Sequence, residues 1–264
     1  MTIARSLLVS LFAALAATAG ADVWDTQEDN DNSTGTDNEL IHGSLQVHDL
    51  GALPGPVADQ DWYLLSQKPR SSYEVVLDEA SGDISSGKGP QVDRVALDGA
   101  TILQTSDPVA NELGFARTLR IQNLLPTQVS DQYIRVLSTG CGTQCGADDR
   151  YRIRVYETTY SIPRFNNSAT QGTVVLIQNP TDYIARGTLI FFSGAGLVLH
   201  QQPFTINPHA LFTLSAPTVP ALVGQSGSIT VVNDARYGDL VGKSVALEPS
   251  TGFAFDTPMT WRPR

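Results

Sequence analysis

The segment Arg150-Tyr-Arg-Ile-Arg-Val-Tyr-Glu157 alternates without a break: Tyr151, Ile153 and Val155 fall on one side, and Arg150, Arg152 and Arg154 on the other. A period of two arises only along an extended strand, and a one-sided apolar set means that one face is covered while the other is wet. Similar runs recur at 40–47, 61–67, 72–78, 92–97, 115–122 and 132–137. Beyond Tyr160 they continue at 173–178, 187–192, 197–201, 204–206, 210–214, 228–232, 244–247 and 252–255. Turn-forming clusters such as SSGKGP, NPTD, SGAG and NPHA separate them, and no stretch after residue 21 sustains a 3.6-residue apolar period. This pattern excludes helical bundles and alternating α/β folds. It predicts an all-β chain of two consecutive β-sandwich domains, over 40–160 and 161–264. The joint is expected at 159–167, where Pro163, Asn166 and Asn167 follow the end of a strand. No low-complexity linker intervenes, so the two domains are expected to pack closely.

Charge divides the chain in the same place. The 264 residues carry 17 Lys+Arg and 27 Asp+Glu, for a net charge of −10. Residues 22–159 hold 10 basic and 22 acidic side chains, whereas 160–264 hold 6 and 5. The acidic balance argues against duplex nucleic acid as a partner, which calls for a basic footprint. Arg5, the apolar run 7–19 and Ala19-Gly20-Ala21 follow the order of a secretory signal peptide cleaved before Asp22. That run is too short to span a bilayer. The expected location is therefore extracellular or periplasmic, with no membrane span. In such an oxidising compartment Cys141 and Cys145 read as a structural disulfide, closing a small loop at a hairpin tip between the runs 132–137 and 150–157. Their three-residue spacing does not match a C-x-x-C redox pair, and no second cysteine pair completes a zinc site.

Residues 22–39, DVWDTQEDNDNSTGTDNE, form an acidic leader with seven carboxylates. Oxygen donors at this density suit a hard cation such as Ca²⁺, although an EF-hand loop begun at Asn30 places Ile41 where the bidentate Glu belongs. A solvated leader ahead of the first strand is the alternative. Several short motifs then occur in a telling order: Glu28, Asn30 and Asp31; Ile41 to Gly43; Asp59, Asp61 and Trp62; Tyr73, Val75 and Leu77; and the runs Tyr133-Ile-Arg-Val136 and Tyr151-Arg-Ile-Arg-Val155. In this order the segment from about Asp25 to Tyr160 resembles the bacterial pre-peptidase C-terminal domain family, secreted β-sandwich modules that include collagen-binding domains. The resemblance implies a jelly-roll-like sandwich. It also implies that Glu28, Asn30, Asp31, Asp59 and Asp61 jointly hold Ca²⁺. Thr26 and Gln27 depart from the family pattern, and the stretch 49–57 makes the approach to Asp59 long. The run TVVLIQNPTDYIARGTLIFFSGAGLVLHQQ makes the second domain similar to Ig-like modules of secreted bacterial surface proteins; this implies no activity.

The sequence presents no catalytic centre. His42, His48, His200 and His209 form no recognisable triad or zinc set, and no G-x-S-x-G is present. Asp59 and Asp61, two apart on one strand face, fit shared metal ligation better than acid–base work. Trp62 and Tyr63 are neighbours on a strand and face opposite sides. One is expected in the core and the other exposed to stack on a sugar or protein side chain, unless loops cover both. The Arg150, Arg152 and Arg154 stripe either meets an acidic ligand or pairs with acids on adjacent strands. These features point to a secreted, non-catalytic binding or adhesion protein, Ca²⁺-stabilised, that recognises an extracellular polysaccharide or matrix protein. The alternative is a structural or accessory protein without a ligand of its own.

Overall fold

The structure, a computed structural model, describes residues 34–51, 58–85, 90–111, 114–126, 132–138, 140–168 and 170–262. The segment expected to be a signal peptide, most of the acidic leader and the candidate ligands Glu28, Asn30 and Asp31 lie outside the described residues. The fold is all-β, and its four antiparallel sheets form two sandwiches.

The first sandwich is built from β1 (Leu45–Asp49), β2 (Gln60–Leu65), β3 (Ser71–Asp78), β4 (Pro90–Val95), β5 (Ile102–Thr105), β6 (Asp107–Asn111), β7 (Gly114–Asn123), β8 (Gln132–Ser138) and β9 (Arg150–Glu157). One sheet runs β1-β9-β3-β7-β6 and faces a second, β2-β8-β4-β5. The alternation of β9 explains its place. Tyr151, Ile153 and Val155 enter a core with Tyr63, Leu65, Leu77, Ile134 and Val136, while the arginines stay on the outer face. Before β1, the chain crosses from one sheet to the other. Leu64 of β2 exchanges backbone bonds with this segment, as Leu40 N–H donates to Leu64 O and Leu64 N–H to Asn38 O. Gly43 N–H then donates to Val155 O on the opposite sheet. The described end of the leader is thus docked, with Thr36 and Asn38 buried and the Tyr133 hydroxyl donating to Thr34 O at 2.6 Å.

The second sandwich contains β10 (Tyr160–Asn166), β11 (Gly172–Gln178), β12 (Ala185–Ser193), β13 (Val198–Ile206), β14 (Leu211–Ser215), β15 (Ser226–Asn233), β16 (Val241–Glu248), β17 (Phe253–Pro258) and β18 (Thr260–Trp261). Its sheets run β13-β12-β15-β10-β18 and β14-β11-β16-β17 around Tyr160, Phe165, Ile177, Leu189 and Phe191. Gly187 is required where β12 meets its neighbours, because a Cβ there would lie 2.3 Å from Val232 O and 2.5 Å from the Phe204 ring.

Three expectations need correction. The stretch expected to be the joint is largely a strand. β10 begins at Tyr160, and Pro163 falls within the register shift between Ile162 and Phe165, where no regular ladder bond is needed. The runs 197–201 and 204–206 are one strand, β13, which tolerates Pro203 because it lies at a sheet edge. The disulfide loop is not a hairpin tip, since β8 and β9 belong to opposite sheets and the loop carries the chain between them. Cys141 and Cys145 are bonded, with Cα atoms 5.0 Å apart. Asp149 holds that loop by accepting from Gly146 N–H at 2.6 Å, and ties it to the segment after β3 by accepting from Asp83 N–H at 2.6 Å.

The sandwiches are joined over more than the two residues between β9 and β10. Asn233 closes the seam: its amide donates to Thr158 O at 2.9 Å and its N–H to the Ser72 hydroxyl at 3.2 Å. Beyond it, the loop from Asp234 to Asp239 lies against β3 and β7. Tyr237 N–H donates to the Glu74 carboxylate at 2.8 Å, and the Arg120 guanidinium donates to Asp234 O at 3.2 Å. Arg120 and Arg236 both lie over the Tyr183 ring, 5.0 and 5.3 Å from its centre.

Candidate functional site at the sandwich junction

The residues singled out from sequence fall at three separate places. Asp59 and Asp61 sit just before and within β2, both shielded from solvent. Asp61 is turned into the first core, where it accepts a hydrogen bond from the Tyr151 hydroxyl, and Tyr151 shares a second bond of 2.7 Å with Tyr63. Burial, followed by the adjacent Asp61 charge, pushes the Tyr151 pKa well above its ordinary value. His48 stacks on Tyr151 at 5.7 Å and meets Tyr63 edge-on at 5.0 Å. Asp61 thus anchors a buried polar network.

Trp62 and Tyr63 do face opposite ways, but neither is an exposed platform. Tyr63 is in the core, and Trp62 is 6% exposed on the outer face. The Arg135 guanidinium covers Trp62 at 5.3 Å and Tyr133 packs edge-on at 5.8 Å. Asp93 fixes that cover by accepting from Arg135 at 2.7 Å. The arginine stripe is likewise committed within the fold. Arg154 and Arg152 pair with Asp78, Arg152 also with Glu79, and the Arg150 side chain donates to Ala147 O at 2.9 Å. Cross-strand register accounts for this, since Asp78 lies opposite Arg152 and Val76 opposite Arg154. Cys141, Cys145 and Asp149 cluster in the manner of metal ligands. The two sulfurs are spent on each other, however, and both Asp149 oxygens accept backbone N–H groups.

A different set of residues forms the best-furnished surface site. Glu157, at the end of β9, accepts from Lys68 at 2.8 Å and from Arg262 at 3.0 Å. Burial raises the Glu157 pKa, but hydrogen bonds and charge from the two cations outweigh it, and the net displacement is downward. Lys68 comes from the turn before β3 and Arg262 from the chain after β18, so this trio bridges the sandwiches. Tyr237 positions Arg262 by donating to its carbonyl at 2.6 Å, and Tyr237 packs on Tyr156 at 4.8 Å. His42 supports Glu157 from behind, its Nδ1 accepting the Glu157 N–H at 2.8 Å.

Two depressions flank the Glu157–Arg262 pair. One, of about 270 Å³, is lined by residues including His42, Lys68 and Tyr73; the other, of about 320 Å³, by residues including Ser161, Thr230, Thr260 and Trp261. Trp261 lies opposite Tyr160 in the β10–β18 ladder and packs edge-on against its ring at 6.1 Å. Its position on the outermost strand leaves it 42% exposed. A larger depression of about 690 Å³ at one end of the second sandwich is lined by Asn167, Gln171, Pro217 and Pro249, with no ionisable side chain among its lining residues. Sequence reasoning missed the junction site. Lys68, Glu157 and Arg262 are separated by 89 and 105 residues along the chain, and no local motif marks them.

The sequence matches no known family model and no curated protein sequence. Among solved structures the chain is similar to a Bacteroides uniformis beta-glucuronidase, at 10% identity and a TM-score of 0.23 over 84% of this chain and 32% of that one. It is similar also to the extracellular region of zebrafish Gpr126/Adgrg6, at 9% identity and a TM-score of 0.25 over 86% and 33%. The VP2 protein of infectious bursal disease virus aligns at 12% identity and a TM-score of 0.18 over 88% and 72%. The chain spans about a third of the length of the first two. Superposition this loose carries no functional argument.

Proposed function

We propose that this chain is a secreted, non-catalytic binding or adhesion protein that recognises an extracellular polymer or matrix protein at the junction of its two sandwiches. The observation that carries the reading is Trp261, a large aromatic left 42% exposed on the outermost strand, next in the chain to Arg262 and on a surface held by both domains. Aromatic faces with a few well-placed polar groups are what binding sites use for orientation and contact. The test is retention of the full chain on insoluble chitin, cellulose, peptidoglycan and collagen. Binding to one of these that disappears in Trp261→Ala supports the reading; uniform absence of binding overturns it.

A structural role through self-assembly has one observation in its favour. The edge strand β17 carries Phe253 and Phe255, 64% and 48% exposed. Light scattering that shows a stable oligomer lost in Phe253→Ser/Phe255→Ser would select it. Calcium belongs to the proposal as well. Asp59 and Asp61 are shielded carboxylates two residues apart in sequence, the kind of donor that a segment rich in Asp, Glu and Asn would complement around a hard cation. Titration with Ca²⁺ after chelation should release heat and raise the melting temperature; neither response means that no such site exists.

A further inference from the structure

We infer that β17 is the docking edge for a second copy of this chain, the two β17 strands pairing antiparallel about a two-fold axis so that the four-stranded sheet becomes one of eight. This rests on the self-assembly reading above and names its partner and geometry. The first observation is where the backbone of β17 points. Its register with β16 sets Ala254 opposite Leu247, Phe255 opposite Ala246 and Asp256 opposite Val245. Met259 N–H, continuing that register, donates to Gly242 O at 2.9 Å. Bonded and non-bonded pairs alternate along an antiparallel ladder. Phe255 and Thr257 therefore bond to β16, and the peptide groups of Ala254 and Asp256 point away from it, towards the free side of an edge strand. Pro258, opposite Lys243, takes the next outward position, where its missing N–H costs the ladder nothing.

Several other edges are blunted. β6 and β13 contain Pro108 and Pro203, and the outer side of β2 is bonded by Asn38 and Leu40. From Phe253 to Thr257, β17 has no proline or lysine, and its one charge, Asp256, is paired with Lys243. Phe253 and Phe255 lie on the same face as Ala246, yet they are 64% and 48% exposed. The facing sheet is short at this margin, because β18 pairs only with Tyr160 and Ser161 of β10. Arg164, farther along β10, reaches Phe255 with its guanidinium 5.8 Å from the ring centre. A two-fold axis through Ala254 sets each Phe253 opposite the second copy's Phe255, at the Cβ spacing of about 4.5–5.5 Å that cross-strand neighbours adopt. It sets Asp256 opposite the second copy's Gly252, so no like charges meet. An edge that matches itself in backbone, aromatic rings and charge fits its own copy. Net charge agrees: residues 160–264 hold 6 basic and 5 acidic side chains, whereas the acidic excess of 22–159 opposes contact through the first sandwich.

The test is sedimentation of the full chain over a series of concentrations, which should show a monomer–dimer equilibrium. Phe253→Ser/Phe255→Ser should weaken the dimer by about tenfold or more through loss of the aromatic pairs. Ala254→Pro separates strand pairing from mere apolar contact. It removes an outward N–H and spends no bond to β16, so it should weaken the dimer by about tenfold or more while the diluted monomer melts close to the wild type. Hydrogen exchange of the wild type keeps the inference testable even where Ala254→Pro folds poorly: the Ala254 and Asp256 amides should exchange more slowly as protein concentration rises. A dimer that keeps its affinity in a folded Ala254→Pro, or that leaves those two amides unprotected, overturns β17 pairing; if that dimer is still lost in Phe253→Ser/Phe255→Ser, the self-assembly reading stands. A monomer at every concentration overturns both.

Discussion

Glu74 lies on β3 with its carboxylate sealed beneath the second sandwich, accepting from Tyr237 N–H and, at 3.0 Å, from the Thr118 hydroxyl. Burial raises its pKa, and those hydrogen bonds and the nearby Arg236 offset only part of the rise. The folded pKa therefore lies above the unfolded one, and the native state keeps a proton that the unfolded chain has already released. Stability linked to this proton is complete below the unfolded pKa and is lost as pH rises through the folded value. Glu74→Gln keeps the shape and removes the charge. At pH 7 it should melt at or above the wild type, and it should lack the part of the pH dependence that makes the wild type gain stability as pH falls from neutral; thermal melts of both proteins from pH 7 towards 5 measure this. The sequence shows Glu74 only as the one charged residue in the run YEVVL. Its burial follows from the approach of Tyr237, 163 residues away.

At the scale of the strand, β9 was the most legible element, because both of its faces obey one period. The apolar face is in the core as alternation predicts. The arginine face left two outcomes open, and the register of β3 decides between them by bringing Asp78 beside Arg152 and Arg154. Asp78 has a side chain only 1% exposed, against 21% for Arg154, so this pair is shielded more than an ordinary surface ion pair. A double-mutant cycle with Arg154→Ala and Asp78→Ala, read by urea denaturation, should give a coupling of about 1–2 kcal/mol, between exposed and buried pairs. A coupling near zero would mean that solvent screens the pair fully. β10 and β13 were harder to read because Pro163 and Pro203 look like breaks. Proline ends a strand only where its missing N–H is needed, and a register shift or sheet edge removes that need.

For the whole molecule, the seam makes two sandwiches one unit. Asn233 satisfies Thr158 O within the seam, so Asn233→Ala should cost about 1–3 kcal/mol by leaving that carbonyl unpaired. Calorimetry should show one endotherm for the wild type, and Asn233→Ala combined with Tyr237→Ala should separate it into two; a single sharp transition in the double variant would show that the seam does not couple the domains. Among the described residues no helix is long and apolar enough to cross a membrane. The sequence by itself determined that the chain is all-β, that it divides into two sandwiches near residue 160, and which faces of its clearest strands are apolar. These properties are written in neighbouring residues, because strand periodicity and turn chemistry act over a few positions. It did not determine the junction. Lys68, Glu157, Trp261 and Arg262 meet only after β9, β18 and the turn before β3 have been placed, and Trp62 is covered only once Arg135 arrives on the adjacent strand. Side-chain exposure and charge pairing depend on which distant strands come together, and that is decided by tertiary packing.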